Sequence, residues 1–188
     1  MSFESWVGAH LRSIRAGERR LLQNDPRLRA ESEFGLASPD FADGDMMPRR
    51  CTGPGIGDNL SPALRWAGVP RETTELALVV QDPDAPLPWP ITHLIAFGLD
   101  PHAGGVPEGG LGARHGPGVQ LGRGWFGRIG YQDPRPVAGH GLHRYVFQMF
   151  ALRKPLRFDS PPKLAAVAAA MAGSVVARAS LTGRYELL

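Results

Sequence analysis

Two short stretches of this 188-residue chain carry residues that could do chemistry. The first is Asp82-Pro83-Asp84-Ala85-Pro86, with His93 at the head of the apolar run that follows. The second is Gly139-His140-Gly141-Leu142-His143-Arg144-Tyr145. Imidazoles, a phenol and the N–H groups of a glycine-rich turn are hydrogen-bond donors, and together they suit a phosphoryl or carboxylate oxygen. A carboxylate at Asp82 can orient a histidine beside them. The reading that follows is a small-anion binding module built on Asp82, His93, His143 and Tyr145. A hydrolase or isomerase using His143 or His93 with Asp82 as base and orienter is the alternative. No serine elbow, Cys–His pair or paired acid and base accompanies these residues, so the enzyme reading comes second. A metal site from Asp82, His93, His140 and His143 comes third, because histidines three apart at the start of a strand point to opposite faces unless the glycine turn intervenes. No cofactor and no metal are expected.

The elements that must position these residues are strands. Leu76 to Val80 and Ile91 to Leu99 carry apolar side chains on both sides of a two-residue zigzag, as does the run from Arg144 to Leu152. Strands of that kind are buried on both faces and central in a sheet. By parity Asp82 shares a face with Leu76, Leu78 and Val80, His143 shares one with Tyr145, and His93 shares one with Ile91, Ile95 and Phe97. Pro83, Pro86, Pro88 and Pro90 remove backbone donors and fix φ, so the segment between the first two strands is a stiff rim. A cis X-Pro bond is expected within it.

The rest of the chain fits one domain with extensions. Hydrophobic residues make up 43% and charged residues 21%, with 24 Gly and 18 Pro, so short strands and turns should dominate. The net charge of +3 comes from scattered arginines, which argues against nucleic-acid binding. A single cysteine, Cys51, excludes an intramolecular disulfide and fits a reducing compartment. Met1 to Gln23 lacks the continuous apolar core of a signal peptide, and no run reaches the roughly 20 apolar residues of a membrane span. A cytoplasmic protein is therefore expected. Phe3, Trp6, Val7, Leu11 and Ile14 predict an amphipathic helix over residues 2–23, docked on the domain or pairing two copies of the chain as a homodimer. Residues 100–124 read as a long loop, and residues 161–178 as an Ala-rich helix with a strand after it. Short strands, turn-rich connections and one late helix argue for an all-β-dominated fold, an antiparallel β-sandwich.

DPDAP at Asp82 to Pro86, His93, and GHGLHRYVF at Gly139 to Phe147 resemble the phosphatidylethanolamine-binding protein family, in its bacterial Raf-kinase-inhibitor-like branch. The likeness extends through LASPDFADG (Leu36 to Gly44) and NLSPALRW (Asn59 to Trp66) to the late helix. It implies a Greek-key β-sandwich over residues 31–188, with residues 1–30 as a helical extension. It also implies a pocket for phosphate, phosphoryl headgroups or similar anions, formed by Asp82, His93, His143 and Tyr145, with Pro83 and Asp84 shaping the rim. A regulatory role toward a partner kinase or protease follows from the family name by analogy. The chain departs from the family pattern at Asp133, where the family has a pocket-lining glycine, and at Leu94, where a tryptophan is common. Asp133 is thus a further candidate ligand-site residue, whose negative charge would oppose an anion.

Overall fold

The computed structural model describes residues 3–112, 115–132 and 134–188. The ordered elements are α1 (Phe3–Leu11), β1 (Ser32–Glu33), β2 (Gly35–Ala37), β3 (Leu64–Ala67), β4 (Glu75–Asp82), β5 (Ile91–Leu99), β6 (Gly105–Val106), β7 (Gln120–Leu121), β8 (His143–Leu152), α2 (Leu164–Met171) and β9 (Val175–Tyr185). A six-stranded sheet runs β1-β9-β8-β4-β5-β7 and a three-stranded sheet runs β2-β3-β6. Every pairing is antiparallel except β1 on β9. The fold is sheet-dominated, and the strands predicted from two-sided apolar runs, β4, β5 and β8, occupy its interior.

Two apolar layers explain why those strands are apolar on both sides. Leu76, Leu78, Val80, Phe147 and Met149 face the small sheet and pack with Leu64 and Trp66 of β3. Ala77, Val79, Ile95, Phe97 and Phe150 face the other way, onto Val167, Ala168 and Met171 of α2 and onto Leu22 and Leu28. Burying a side chain of the size of Leu28 or Phe150 contributes about 1.5–3 kcal/mol relative to leaving it in water. The N-terminal residues therefore supply part of the outer layer as well as a surface helix.

Three sequence expectations change here. The helix predicted over residues 2–23 stops at Leu11 and is followed by 3-10 turns at Glu18–Arg20, Leu22–Asn24 and Pro26–Leu28. The chain is already non-helical over residues 14–17, Gly17 takes φ 80 just before the first of these turns, and beyond it Leu21, Leu22 and Leu28 are turned inward. The helix predicted to reach Arg178 ends at Met171, because Gly173 adopts φ 72 and the β-branched pair Val175-Val176 opens β9. Among the described residues no peptide bond is cis. The reversal after β4 is made instead by Asp82, whose Oδ1 accepts from the N–H of Asp84 at 2.7 Å. Among the described residues no helix is long and apolar enough to cross a membrane.

Candidate functional site

β4, β5 and β8 bring the predicted residues together at one end of the large sheet. Asp82 ends β4 and His143 begins β8, and the carboxylate Oδ2 lies 2.8 Å from Nδ1 of His143. Tyr145 is two residues along β8 on the same face, and its ring meets the His93 ring edge-on at a centroid distance of 5.2 Å. Zigzag parity puts His93 with Ile95 and Phe97 on the outer face, so this contact is a correction. Between Val80 and Gln81 the register with β5 shifts, pairing Val80 with Leu94 but Gln81 with Thr92. His93 is the extra residue of that β-bulge, and the bulge turns its imidazole onto the Tyr145 face. Nδ1 of His93 donates to the carbonyl of Gln132 at 2.6 Å, which fixes the ring.

His140 extends the polar cluster. Its Nδ1 lies 2.7 Å from Nε2 of His143, and its Nε2 lies 2.9 Å and 3.2 Å from the carbonyl oxygens of Leu11 and Ile14. Histidines three apart diverge unless the glycine turn intervenes, and here it does: Gly139 and Gly141 take φ 75 and φ 101 and fold the turn back. The same turn was expected to present free N–H groups, yet the amides of Gly139 and His140 donate to the carbonyls of Leu187 and Val137. Its contribution is therefore an imidazole more than a ring of amides. A carboxylate at one end and carbonyls at the other only accept, so Nδ1 of His143 and Nε2 of His140 both carry hydrogen, and a third lies between the rings.

Asp84 is held apart from this chain. Arg144 grips it with Nε to Oδ2 at 2.8 Å, Nη2 to Oδ1 at 2.9 Å and its backbone N–H to Oδ2 at 2.9 Å. Arg15 adds a contact from Nη1 to Oδ1 at 3.0 Å, and Glu18 pairs with Arg144 from outside. Burial alone would push the Asp84 carboxyl up, but the bonds and charge of Arg144, with Arg15, outweigh it and hold it below the ordinary carboxylate value. Asp84 thus organises the rim as one member of an ion-pair group. Pro83 contributes its carbonyl, which accepts from the N–H of Gly17 at 2.8 Å. Asp133 lies outside the described residues.

The cluster is closed to solvent, with relative exposures of 3% at Asp82, 5% at His93, 0% at His140, 2% at His143 and 0% at Tyr145. Burial pushes the Tyr145 hydroxyl well above its ordinary value, helped by Asp82, so it stays a donor. That hydroxyl finds no hydrogen-bond partner among the described residues. Burial, and then the charge of His143, lower the pKa of His140. The Cys51 thiol is pushed up to about 12 by burial and is no nucleophile. Among the described residues no group of three or more His, Cys, Asp or Glu side chains is arranged to hold a metal.

Sequence reasoning weighed His140 only as a metal ligand and gave no role to Arg15, Glu18 or Arg144. For His140 the signal was present, since the glycines on either side of it are what a tight reversal requires. For Arg15 and Glu18 there was none, because more than sixty residues separate them from the loops they touch.

Residues 37–186 match the family model described as phosphatidylethanolamine-binding protein. The chain is 38% identical over 155 residues to a UPF0098 protein of Methanothermobacter thermautotrophicus, covering 81% of this chain and 99% of that one. It is 32% identical over 150 residues to a UPF0098 protein of Aquifex aeolicus, covering 79% and 86%. Among solved structures it is similar to E. coli YbcL, described as a member of the mammalian PEBP family, with a TM-score of 0.76 and 29% identity over 84% of this chain and 100% of that one. On the strength of the matched region and these relatives, the chain belongs to the phosphatidylethanolamine-binding protein family.

Proposed function

We propose that Asp82, His93, His143 and Tyr145 bind a small phosphoryl or carboxylate anion, with Pro83 and Asp84 at the rim. The observation that carries this reading is the Tyr145 hydroxyl, a buried donor with no hydrogen-bond partner among the described residues, on a ring that packs edge-on against His93. An unpaired buried hydroxyl costs about 1–3 kcal/mol, a cost that an anion oxygen accepting from it would remove. Asp82 fixes the tautomer and direction of His143, so that imidazole is organised before a ligand arrives. A hydrolase or isomerase with His143 as base is supported less well, because no serine elbow, Cys–His pair or paired acid and base accompanies it in the sequence. A cytoplasmic location is part of the proposal, resting on Cys51 as the one cysteine of the sequence. The proposal also allows a protein partner or a second copy of the chain to meet α1 at its exposed Trp6.

The test is calorimetric titration of inorganic phosphate and O-phosphoethanolamine into the wild type and Tyr145→Phe. Binding of either probe, weakened about tenfold by loss of the hydroxyl, is the expected result for one lost hydrogen bond to a charged group. Tighter binding of phosphoethanolamine than of phosphate would assign the site to a headgroup. Equal affinity of the two proteins would remove Tyr145 from the site, and no binding by either would overturn the reading.

A further inference from the structure

Residues 11–17 lie across the loops that carry the site and are bonded to both. On one side the carbonyls of Leu11 and Ile14 accept from Nε2 of His140, Arg12 Nε donates to the carbonyl of Gly139 at 2.7 Å, and Arg15 Nη1 donates to the carbonyl of Leu142 at 2.9 Å. On the other, Arg15 meets Asp84, the N–H of Ala16 donates to the carbonyl of Ala85 at 3.0 Å, and the N–H of Gly17 donates to that of Pro83. The segment thus bridges the turn before β8 and the rim after β4. The family model matches residues 37–186, so this bridge lies outside the matched region.

Its ends are anchored differently from its middle. α1 is pressed against the chain before β8: a Cβ at Gly8 would stand 2.0 Å from the carbonyl oxygen of Ala138, and one at Gly139 would stand 2.6 Å from that of Ser5. Past Gly17, Leu21, Leu22 and Leu28 are buried against the sheet. Between these anchors the contacts are polar, and Ile14 is 48% exposed. A stretch held by hydrogen bonds and ion pairs between two apolar anchors is one that opens locally without unfolding the domain. The carbonyls of Leu11 and Ile14 also occupy the His140 N–H as an incoming acceptor oxygen would.

We propose that residues 11–17 are a built-in competitor that closes the anion site, so that ligand enters only when this segment lifts from His140 and Asp84. The inference rests on the reading of the site as an anion site. A protein whose competent state is a fraction of the population binds with its affinity reduced by that fraction. Releasing the segment therefore raises apparent affinity without changing any residue of the site.

The experiment compares full-length wild type with the full-length double variant Arg12→Ala/Arg15→Ala, using inorganic phosphate and O-phosphoethanolamine as probes. The expected result is binding about tenfold tighter or more in the variant, the return of the closed-state penalty. Amide exchange at Ala16 and Gly17 should be faster in the variant, with exchange in β8 unchanged. The variant loses two positive charges, so tighter anion binding cannot come from long-range attraction. Equal or weaker binding by the variant would overturn the inference while leaving the anion site standing. Failure of both proteins to bind either probe overturns the anion site and the inference with it.

Discussion

Nδ1 of His140 lies 2.7 Å from Nε2 of His143, and Nδ1 of His143 lies 2.8 Å from Oδ2 of Asp82, so one carboxylate at the end of β4 directs two imidazoles in series. Asp82 does a second task through Oδ1, which closes the turn onto the N–H of Asp84. Replacing Asp82 by Ala strands a buried imidazole N–H and a buried amide, and should cost about 2–4 kcal/mol. Asp82→Asn retains an oxygen for Asp84 and offers its NH2 to Nδ1 of His143, with each imidazole then neutral and passing one hydrogen along. Urea denaturation should therefore find more than half of the lost stability restored in Asp82→Asn. An Asn variant as unstable as the Ala variant would contradict the hydrogen count.

Two steps in stability against pH follow from His140 and Asp84. Burial, then the charge of His143, lower His140 from an ordinary 6.5, so the unfolded chain takes up that proton first. Its contribution is complete above about 6.5 and declines as pH falls below that, until the folded form protonates too. Asp84 is lowered from 3.8 because Arg144 and Arg15 outweigh the effect of burial. Its contribution is present above that value and is lost as pH falls through the depressed folded value. Denaturation free energy measured against pH should show both declines. His140→Gln should remove the first and Asp84→Asn the second.

The sheet was legible where side chains alone dictate it. Leu76 to Val80, Ile91 to Leu99 and Val146 to Leu152 are apolar on both faces because each is covered on both faces, and that pattern survives any detail of register. Asp82 at the end of β4 and His143 and Tyr145 on β8 lie on the face that alternation gives them, since the pairing of β4 with β8 carries no register shift. His93 was given the wrong face because a bulge inverts alternation at one residue and leaves no mark in composition. The helix end at residue 171 depended on Gly173 adopting positive φ, which its presence permits but does not require. The bridge of residues 11–17 onto the site was invisible, because its bonds are to backbone carbonyls that every residue carries.

An anchor and the bridge of the N-terminal chain differ in kind, and mutation should separate them. Leu28 is completely buried among Ala77, Val79 and Phe150 and the residues of α2, while Ile14 is about half exposed. Leu28→Ala should destabilise the whole domain by about 2–5 kcal/mol, the range for a buried leucine whose cavity cannot collapse. Ile14→Ala should change global stability by less than about 0.5 kcal/mol, as surface substitutions do. Parallel losses at both positions would mean that residues 11–17 belong to the cooperative core and do not open separately.

Tyr145 offers the sharpest separation of stability from binding. Its ring is fully buried against His93, and its hydroxyl has no hydrogen-bond partner among the described residues. Folding therefore removes that hydroxyl from water without replacing the bonds it made there, a cost of about 1–3 kcal/mol. Phenylalanine keeps the ring and its packing and discards the group that bears the cost. Tyr145→Phe should then be as stable as the wild type or more so in thermal and urea denaturation, while its affinity for inorganic phosphate falls. A structural tyrosine would behave in the opposite way, since its hydroxyl would be contributing a bond to the fold. If Tyr145→Phe lowers the midpoint of unfolding and leaves phosphate affinity where it was, the hydroxyl serves the core and the anion must be held by the imidazoles alone.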